Sequence, residues 1–470
     1  MNNKPRLTFL GAAQNVTGSR YLLEYQNSRI LIDCGLYQER DLRARNWDPF
    51  PVPPSGINAV ILTHAHVDHC GYLPKLVKDG FSGPVYGTPA TAEIAAVVIK
   101  DTAHLQEEDA AFKSQRHLKE GRQGPYPIVP LYTQADVEAA LPLFKTAEYR
   151  KPIAIADGIE ASFHDAGHIL GSSHVRLQVG GNGQQRTVIF SGDIGRWDRP
   201  ILNDPTLFEE ADYILMESTY GDRLHEDSAD QPGKLADIIN ATRQAGGNVV
   251  IPSFAVERAQ EILYHLNNLL LADRIPHLLI FIDSPMAISV TKIFEKHAEL
   301  FDPDMKRLIA ADRSPFHLSG LKLTPSADDS KMINHISGTA IIIAGSGMCT
   351  GGRIKHHLVN NLPRPQSSVI FVGYQAGGTL GRQIVDGAKK VRILGGEYRV
   401  KARIERLYGF SAHADQSELI RWLSGIKKAP RRVFITHGEP DVARHFAAFV
   451  TEKNSWATHV PSYGETVELS

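Results

Sequence analysis

Ala59-Val60-Ile61-Leu62-Thr63-His64-Ala65-His66-Val67-Asp68-His69 is the stretch on which the reading turns. Its first half is a short apolar run of the kind that forms a buried strand. Its second half puts four ligand-capable side chains, His64, His66, Asp68 and His69, into six residues. Imidazole and carboxylate without thiolate suit Zn²⁺ and related borderline cations, and a mixed nitrogen and oxygen set favours a catalytic site over a closed structural one. A loop at a strand end that opens into a helix can aim some of these groups at one ion and the rest at another. A solvated histidine-rich loop would have no reason to cluster ionisable groups so densely.

Working outward, similar apolar runs rich in Val, Ile and Phe end abruptly in polar residues or glycine. Arg29–Asp33, Thr187–Asp193, Tyr213–Glu217, Val249–Ser253, Leu278–Asp283, Ala340–Gly345, Val369–Gly373 and Val433–His437 all fit buried strands feeding loops. Helical spacing intervenes, as in Ala255–Leu271, where Ile262, Leu263, Leu266, Leu269 and Leu270 recur at three and four. The alternation predicts an α/β protein. Ligands in such folds collect beyond the carboxyl ends of strands, so Asp33, His64, Asp193, Glu217 and His437 are candidates by position alone. Thr102–Pro130, charged and then rich in Gly and Pro, reads as an exposed insertion.

The bulk numbers narrow the field. A chain of 470 residues predicts two domains or three. Lys and Arg total 51 against 52 Asp and Glu, a net charge of -1, so a polyanion must be held by a local patch. The first ten residues do not read as a signal peptide and no window approaches ~18 consecutive apolar residues, which predicts a cytoplasmic protein without membrane spans. Cys34, Cys70 and Cys349 are odd in number and lack CxxC spacing, so neither a disulfide framework nor a thiolate metal site is expected.

Two ions need six ligands or more, and further candidates are His168 in Asp165-Ala166-Gly167-His168, Asp193 in Ser191-Gly192-Asp193, and His437 in Thr436-His437-Gly438. Singly each is weak, since a lone histidine is usually a surface or core residue and Asp193 could cap a helix. Their joint occurrence with the first cluster reverses that. The order Asp33, His64-x-His66-x-Asp68-His69, His168, Asp193 resembles the sequential motifs of the metallo-β-lactamase superfamily. That resemblance implies one zinc on His64, His66 and His168, a second on Asp68 and His69, Asp193 bridging both, and Asp33 orienting a ligand histidine.

Downstream, Met216-Glu217-Ser218-Thr219-Tyr220, Phe410-Ser411-Ala412-His413-Ala414-Asp415 and Thr436-His437-Gly438 resemble motifs A, B and C of the β-CASP nucleases. Pro252–Gln260, Asp283–Ala287 and Gly345–Arg353 are also similar to RNA-directed members. The family implies a metallo-β-lactamase αββα sandwich interrupted by a parallel-sheet β-CASP domain, here expected as 1–210, 211–390 and 391–470. It further implies a two-zinc phosphodiesterase acting on single-stranded RNA, in endonucleolytic or 5′ exonucleolytic mode, with manganese as a possible substitute and a homodimer as a possible assembly. His437 would complete the second zinc, a hydroxide held between the ions would attack, and His413 paired with Glu217 would protonate the departing 3′ oxygen. Asp68 and Asp33 are counted with His413 and Glu217 among the catalytic groups. His413, where DNA-directed members more often carry Val, favours RNA.

One expectation rests on the residues themselves. Ser346, Gly347, Met348, Gly351, Gly352 and Arg353 follow an apolar run in a glycine-dense loop whose backbone N–H groups could cradle a phosphate, with Arg353 supplying charge. A tight connection is the plain alternative. Rival readings are a metallo-β-lactamase-fold hydrolase of small esters or thioesters, consistent with the N-terminal motifs alone, and a catalytically silent RNA-binding partner, disfavoured because every ligand position is filled.

Overall fold

Each of the nine apolar runs contains a strand, and eight of these strands stop before the polar residue or glycine that ends the run. The computed structural model describes residues 4–120, 128–181, 185–225, 231–373, 375 and 377–470. They divide into two units: Met1–Asp198 with Asp204–Leu224 and His413–Ser470, and Arg199–Asn203 with His225–Ala412.

The first unit is built on two seven-stranded sheets. One runs in the order Thr466–Glu468, Arg6–Phe9, Tyr21–Tyr25, Ser28–Ile32, Ala59–Ile61, Val85–Gly87, Phe144–Thr146. The other runs Thr458–His459, Arg432–Ile435, Tyr213–Met216, Arg186–Phe190, Ser173–Val179, Ile159–Asp165, Ile153–Ala156. Strand alternation sends Phe9, Leu23, Ile30 and Ile61 from the first sheet, and Phe163, Leu177, Val188 and Leu215 from the second, into one shared core. On the outer face of the second sheet, Ile189, Ile214 and Val433 pack with Leu419 and Trp422 of the helix Gln416–Leu423 and with Phe446 and Val450 of the helix Pro440–Asn454. Parallel strands buried on both faces are continuous apolar runs for this reason.

The second unit carries a six-stranded sheet in the order Leu321–Leu323, Leu279–Asp283, Ala340–Ala344, Val249–Pro252, Ser368–Phe371, Arg403–Arg406, with every pairing parallel. The architecture is therefore the expected α/β sandwich carrying an inserted parallel-sheet unit. Its bounds move from those read in the sequence. Tyr213–Met216 pairs with Arg186–Phe190 and Arg432–Ile435, so Asp204–Leu224 stays with the first unit. Arg403–Arg406 pairs with Ser368–Phe371, so the chain returns at 413 rather than 391.

The charged first part of the stretch read as an exposed insertion, residues 102–120, is helical and belongs to a 32-residue helix, Pro89–Glu120, consistent with its Ala, Gln, Glu and Lys content and the absence of Gly and Pro within it after Pro89. The Gly121–Pro127 stretch lies outside the described residues. Among the described residues no helix is long and apolar enough to cross a membrane.

Candidate metal centre

The carboxyl ends of the first unit's strands converge. Asp33 follows Ser28–Ile32, the His64–His69 cluster follows Ala59–Ile61, His168 follows Ile159–Asp165, Asp193 follows Arg186–Phe190, Glu217 follows Tyr213–Met216 and His437 follows Arg432–Ile435. Asp33 and His437 sit at φ 58° and 49°, left-handed backbone that a non-glycine residue adopts only where its surroundings hold it. Hydrogen bonds from Asp33 N–H to Ile61 (2.8 Å) and from His437 N–H to Ala12 (2.7 Å) fix these turns.

Two donor groups face one another across Asp193. In the first, His64 Nε2 and His66 Nδ1 are 3.1 Å apart, His168 Nε2 and His66 Nδ1 are 3.2 Å apart, and Asp193 Oδ2 lies 3.4 Å from His64 Nε2 and 3.5 Å from His168 Nε2. In the second, His69 Nε2 and His437 Nε2 are 3.2 Å apart, and Asp193 Oδ1 lies 3.3 Å and 3.6 Å from them. Asp68 Oδ2 stands 3.5 Å from His437 Nε2. Donors placed tetrahedrally at Zn–N bond length are about 3.4 Å from one another, so these separations match the edges that such a polyhedron would have. Asp193 Oδ1 is buried without a hydrogen-bond partner, a costly state for a carboxylate oxygen unless a cation meets it. The donor set fits metal ions.

The electrostatics of the first donor group agree with that use, whereas in the second burial is outweighed by Asp193, with Asp33 at His69 and Asp68 at His437, and both imidazoles are raised. Burial, and then the neighbouring His69, pushes His64 down to about 3, and burial pushes His66 down to about 4 and His168 well below its ordinary value. These imidazoles are held neutral, the form that binds metal. Burial opposes charge on Asp193, but the surrounding histidines, His437 and His69 foremost, outweigh it and hold its carboxyl well below the usual range.

A second layer aims the ligands. Asp33 Oδ2 lies 2.8 Å from His69 Nδ1, and its Oδ1 accepts the Thr63 N–H at 2.8 Å, so Asp33 turns His69 Nε2 toward the centre. Thr63 Oγ1 is 3.0 Å from His64 Nδ1, and Thr219 Oγ1 is 3.2 Å from His437 Nδ1. Neither threonine was singled out from the sequence, although Thr63 joins the decisive strand to its cluster and Thr219 sits two residues past Glu217. Gly35 and Gly195 permit the close packing behind these loops: a Cβ would fall 1.6 Å from the Asp68 carbonyl oxygen at the one and 1.9 Å from that of Gly167 at the other.

His413 stands at the rim. Its Nδ1 is 3.2 Å from both Glu217 oxygens and 3.9 Å from Asp193 Oδ2, and its ring lies 4.5 Å from that of His168. Burial disfavours the imidazolium, but Glu217 and then Asp193 outweigh it and raise His413 to about 9. Glu217 is held in turn by the Ile194 N–H at 2.6 Å. Asp415 caps the helix Gln416–Leu423, accepting from Ser417 and Glu418 N–H groups, while Ala414 N–H bonds Ile194 at 2.8 Å, so His413 is held from the residues that follow it.

The glycine-dense loop lies in the second unit. Ser346 and Gly351 bond one another, Gly352 has φ 72°, and Gly347 passes beneath the Phe254 ring, where a Cβ would meet ring carbons at 2.7 Å. Arg353 is committed elsewhere: its Nη1 bonds Asp283 at 2.8 Å and the Thr324 carbonyl at 2.6 Å, and its Nη2 the Pro325 carbonyl at 2.8 Å. Asp283 also accepts from Ser330 and meets His357 Nε2, both at 2.6 Å. Arg353 therefore anchors the loop through Asp283 and the carbonyls of Thr324 and Pro325.

Three family models match the chain: the metallo-beta-lactamase superfamily over residues 16–229, the Beta-Casp domain over 259–384, and the Zn-dependent metallo-hydrolase RNA specificity domain over 397–461. Ribonuclease TTHA0252 of Thermus thermophilus is 38% identical over 93% of this chain and 94% of its own length. An RNase J-like protein of Methanocaldococcus jannaschii is 30% identical over 98% and 99%, and transcription termination factor FttA of Methanosarcina mazei is 32% identical over 99% and 71%. Among solved structures, a protein of unknown function from Enterococcus faecalis V583 shares the fold at a TM-score of 0.56 and 13% identity, over 99% of this chain and 100% of that one.

Proposed function

Because the chain belongs to the β-CASP family of the metallo-β-lactamase superfamily, we propose that it is a two-zinc ribonuclease that hydrolyses phosphodiester bonds of single-stranded RNA in RNA processing or decay. A metal-dependent hydrolase acting on RNA follows from its relatives; the metal count, zinc, and the strandedness of the substrate are our reading. The observation that carries it is the division of donors across Asp193, with three histidines on its Oδ2 side and His69, His437 and Asp68 on its Oδ1 side.

His64, His66, His168 and Asp193 would hold one ion, and Asp68, His69, His437 and Asp193 the other. Such ions supply Lewis-acid charge that acidifies water and neutralises phosphate oxygens. The chain's own residues do the rest. Asp33, Thr63 and Thr219 hold the imidazoles in the tautomers that present the correct nitrogen. Glu217 keeps His413 charged and fixes its Nδ1, leaving Nε2 to donate. As the P–O3′ bond breaks, the departing oxygen takes that proton, the phosphorus takes the oxygen of a water that releases a proton to solvent, His413 is re-protonated from solvent, and the products carry a 5′ phosphate and a 3′ hydroxyl.

The test is cleavage of 5′-labelled single-stranded RNA and matching DNA by metal-loaded wild type and Asp193→Ala. RNA-selective cutting lost in the variant supports the proposal, and fragment sizes distinguish endonucleolytic from 5′ exonucleolytic action. No cutting, with metal bound, would refute it.

A further inference from the structure

The sequence demands a local patch if a polyanion is to bind a chain of net charge -1, and the metal centre leaves that patch unassigned. Gln38–Asn46 supplies a candidate in the first unit. Arg40, Arg43 and Arg45 fall within six residues; Arg40 and Arg43 are exposed and Arg45 is half-buried. None makes an ion pair among the described residues, although Asp41 and Asp48 share the loop. Among the described residues, other arginines of this unit do make ion pairs, Arg6 and Arg29 with Glu24, Arg196 with Glu418 and Arg431 with Asp212, while Arg20, Arg150, Arg186, Arg421 and Arg432 make none.

Two rings accompany these charges. The Arg45 guanidinium lies 4.2 Å from the centroid of Tyr463, a ring left 43% exposed, and Trp47 is 37% exposed on the same loop. Unpaired guanidinium groups interleaved with exposed aromatic faces are the chemistry that tracks a single-stranded polynucleotide, phosphates on the cations and bases on the rings.

The loop is locked rather than loose. Glu39 Oε1 accepts the N–H groups of Val16 and Thr17 at 3.0 and 2.9 Å, its Oε2 takes the Thr17 hydroxyl, and Gln38 N–H bonds Thr17 Oγ1 at 2.8 Å. The segment so gripped, Ala12–Thr17, bonds His437 N–H through Ala12 and Gly438 N–H through Asn15. Gln14 reaches Ser462, beside Tyr463, at 3.0 Å. One hydrogen-bonded layer thus connects a candidate metal ligand to the arginine loop and to Tyr463.

We infer that Arg40, Arg43 and Arg45 with Tyr463 form a guide strip that binds single-stranded RNA on the metallo-β-lactamase unit and leads it to the metal centre. This rests on the ribonuclease reading above and deepens it by naming where the substrate is held.

The experiment compares metal-loaded wild type with Arg40→Gln/Arg43→Gln and with Arg40→Lys/Arg43→Lys. The readouts are affinity for labelled single-stranded RNA across salt concentration, and hydrolysis of bis(4-nitrophenyl) phosphate, a diester without a polynucleotide on either side of its phosphate. Losing two phosphate contacts should lower the slope of log affinity against log salt by about 1.4 and weaken binding by about 25-fold at 0.1 M salt. The lysine pair should keep the slope, small-diester hydrolysis should be unchanged in all three, and Tyr463→Ala should weaken binding without changing the slope. If the glutamine pair binds with wild-type affinity and slope, the strip is not the RNA guide. If it loses small-diester hydrolysis in parallel with RNA binding, the loop only supports the centre and the inference falls. A wild type that hydrolyses the small diester but neither binds nor cuts RNA would instead overturn the ribonuclease reading, and the strip with it.

Discussion

Replacing Glu217 by Gln removes one negative charge 3.2 Å from His413 Nδ1 and leaves an isosteric side chain in place. In the wild type that carboxylate, with Asp193 behind it, overrides burial and raises His413 to about 9, so the imidazolium persists below that pH and is lost as pH rises through it. Without Glu217, burial is opposed by Asp193 and Asp68 and the group falls toward its ordinary value near 6.5. At pH 8 the protonated fraction then falls from roughly nine-tenths to about 3%, a drop of about 30-fold in any step that needs the proton, while at pH 5.5 the variants differ little. Ions bound at Asp193 pull both profiles down together, so the displacement between them carries the test. The assay is kcat against pH for a short single-stranded RNA at fixed metal. A variant whose rate falls uniformly, with its alkaline limb where the wild type has it, would show that His413 does not serve as the acid that Glu217 maintains.

The other expectations concern the ligands and what supports them. His413→Ala should lower turnover yet retain the wild-type metal content by elemental analysis, whereas Asp193→Ala should lose both activity and metal; equal metal loss would place His413 among the ligands. Asp33→Asn weakens the hold on His69 Nδ1 and should cut metal affinity about 10–100-fold in chelator competition, with little change in the melting temperature of the metal-free protein. Gly35→Ala drives a Cβ to within 1.6 Å of the Asp68 carbonyl oxygen, where no side-chain rotation relieves the clash, so metal content or soluble yield should fall sharply. Trp422→Phe removes the indole N–H bonded to His174 Nε2 and the Thr206 carbonyl and should cost about 1–3 kcal/mol in urea unfolding while sparing the metal site.

The strands were legible because burial on both faces writes an unbroken apolar run, and the centre because ions demand dense, chemically uniform donors at strand ends. What escaped the sequence was whatever depends on a partner far along the chain. Arg353 read as a free cation beside glycines, yet Asp283, seventy positions earlier, claims it. Thr63 and Thr219 are ordinary residues until a ring nitrogen is set against each hydroxyl. The unit bounds moved because pairing, not composition, decides which sheet Tyr213–Met216 and Arg403–Arg406 join. Arg40, Arg43 and Arg45 vanish in a balanced total and emerge only when the acids that could pair with them prove to be engaged or out of reach.

The order in which the chain emerges from a ribosome gives the discontinuous first unit a further meaning. His64, His66, Asp68, His69, His168, Asp193 and Glu217 all precede the main segment of the second unit, His225–Ala412, but His413 and His437 follow it. On the roles proposed above, a nascent chain that has reached only Ala412 holds most of the candidate ligands but neither His413 nor His437. The second sheet likewise waits for Arg432–Ile435 to cover Tyr213–Met216. The order of the chain thus leaves the proposed site incomplete until its last segment, His413–Ser470, has joined the first unit.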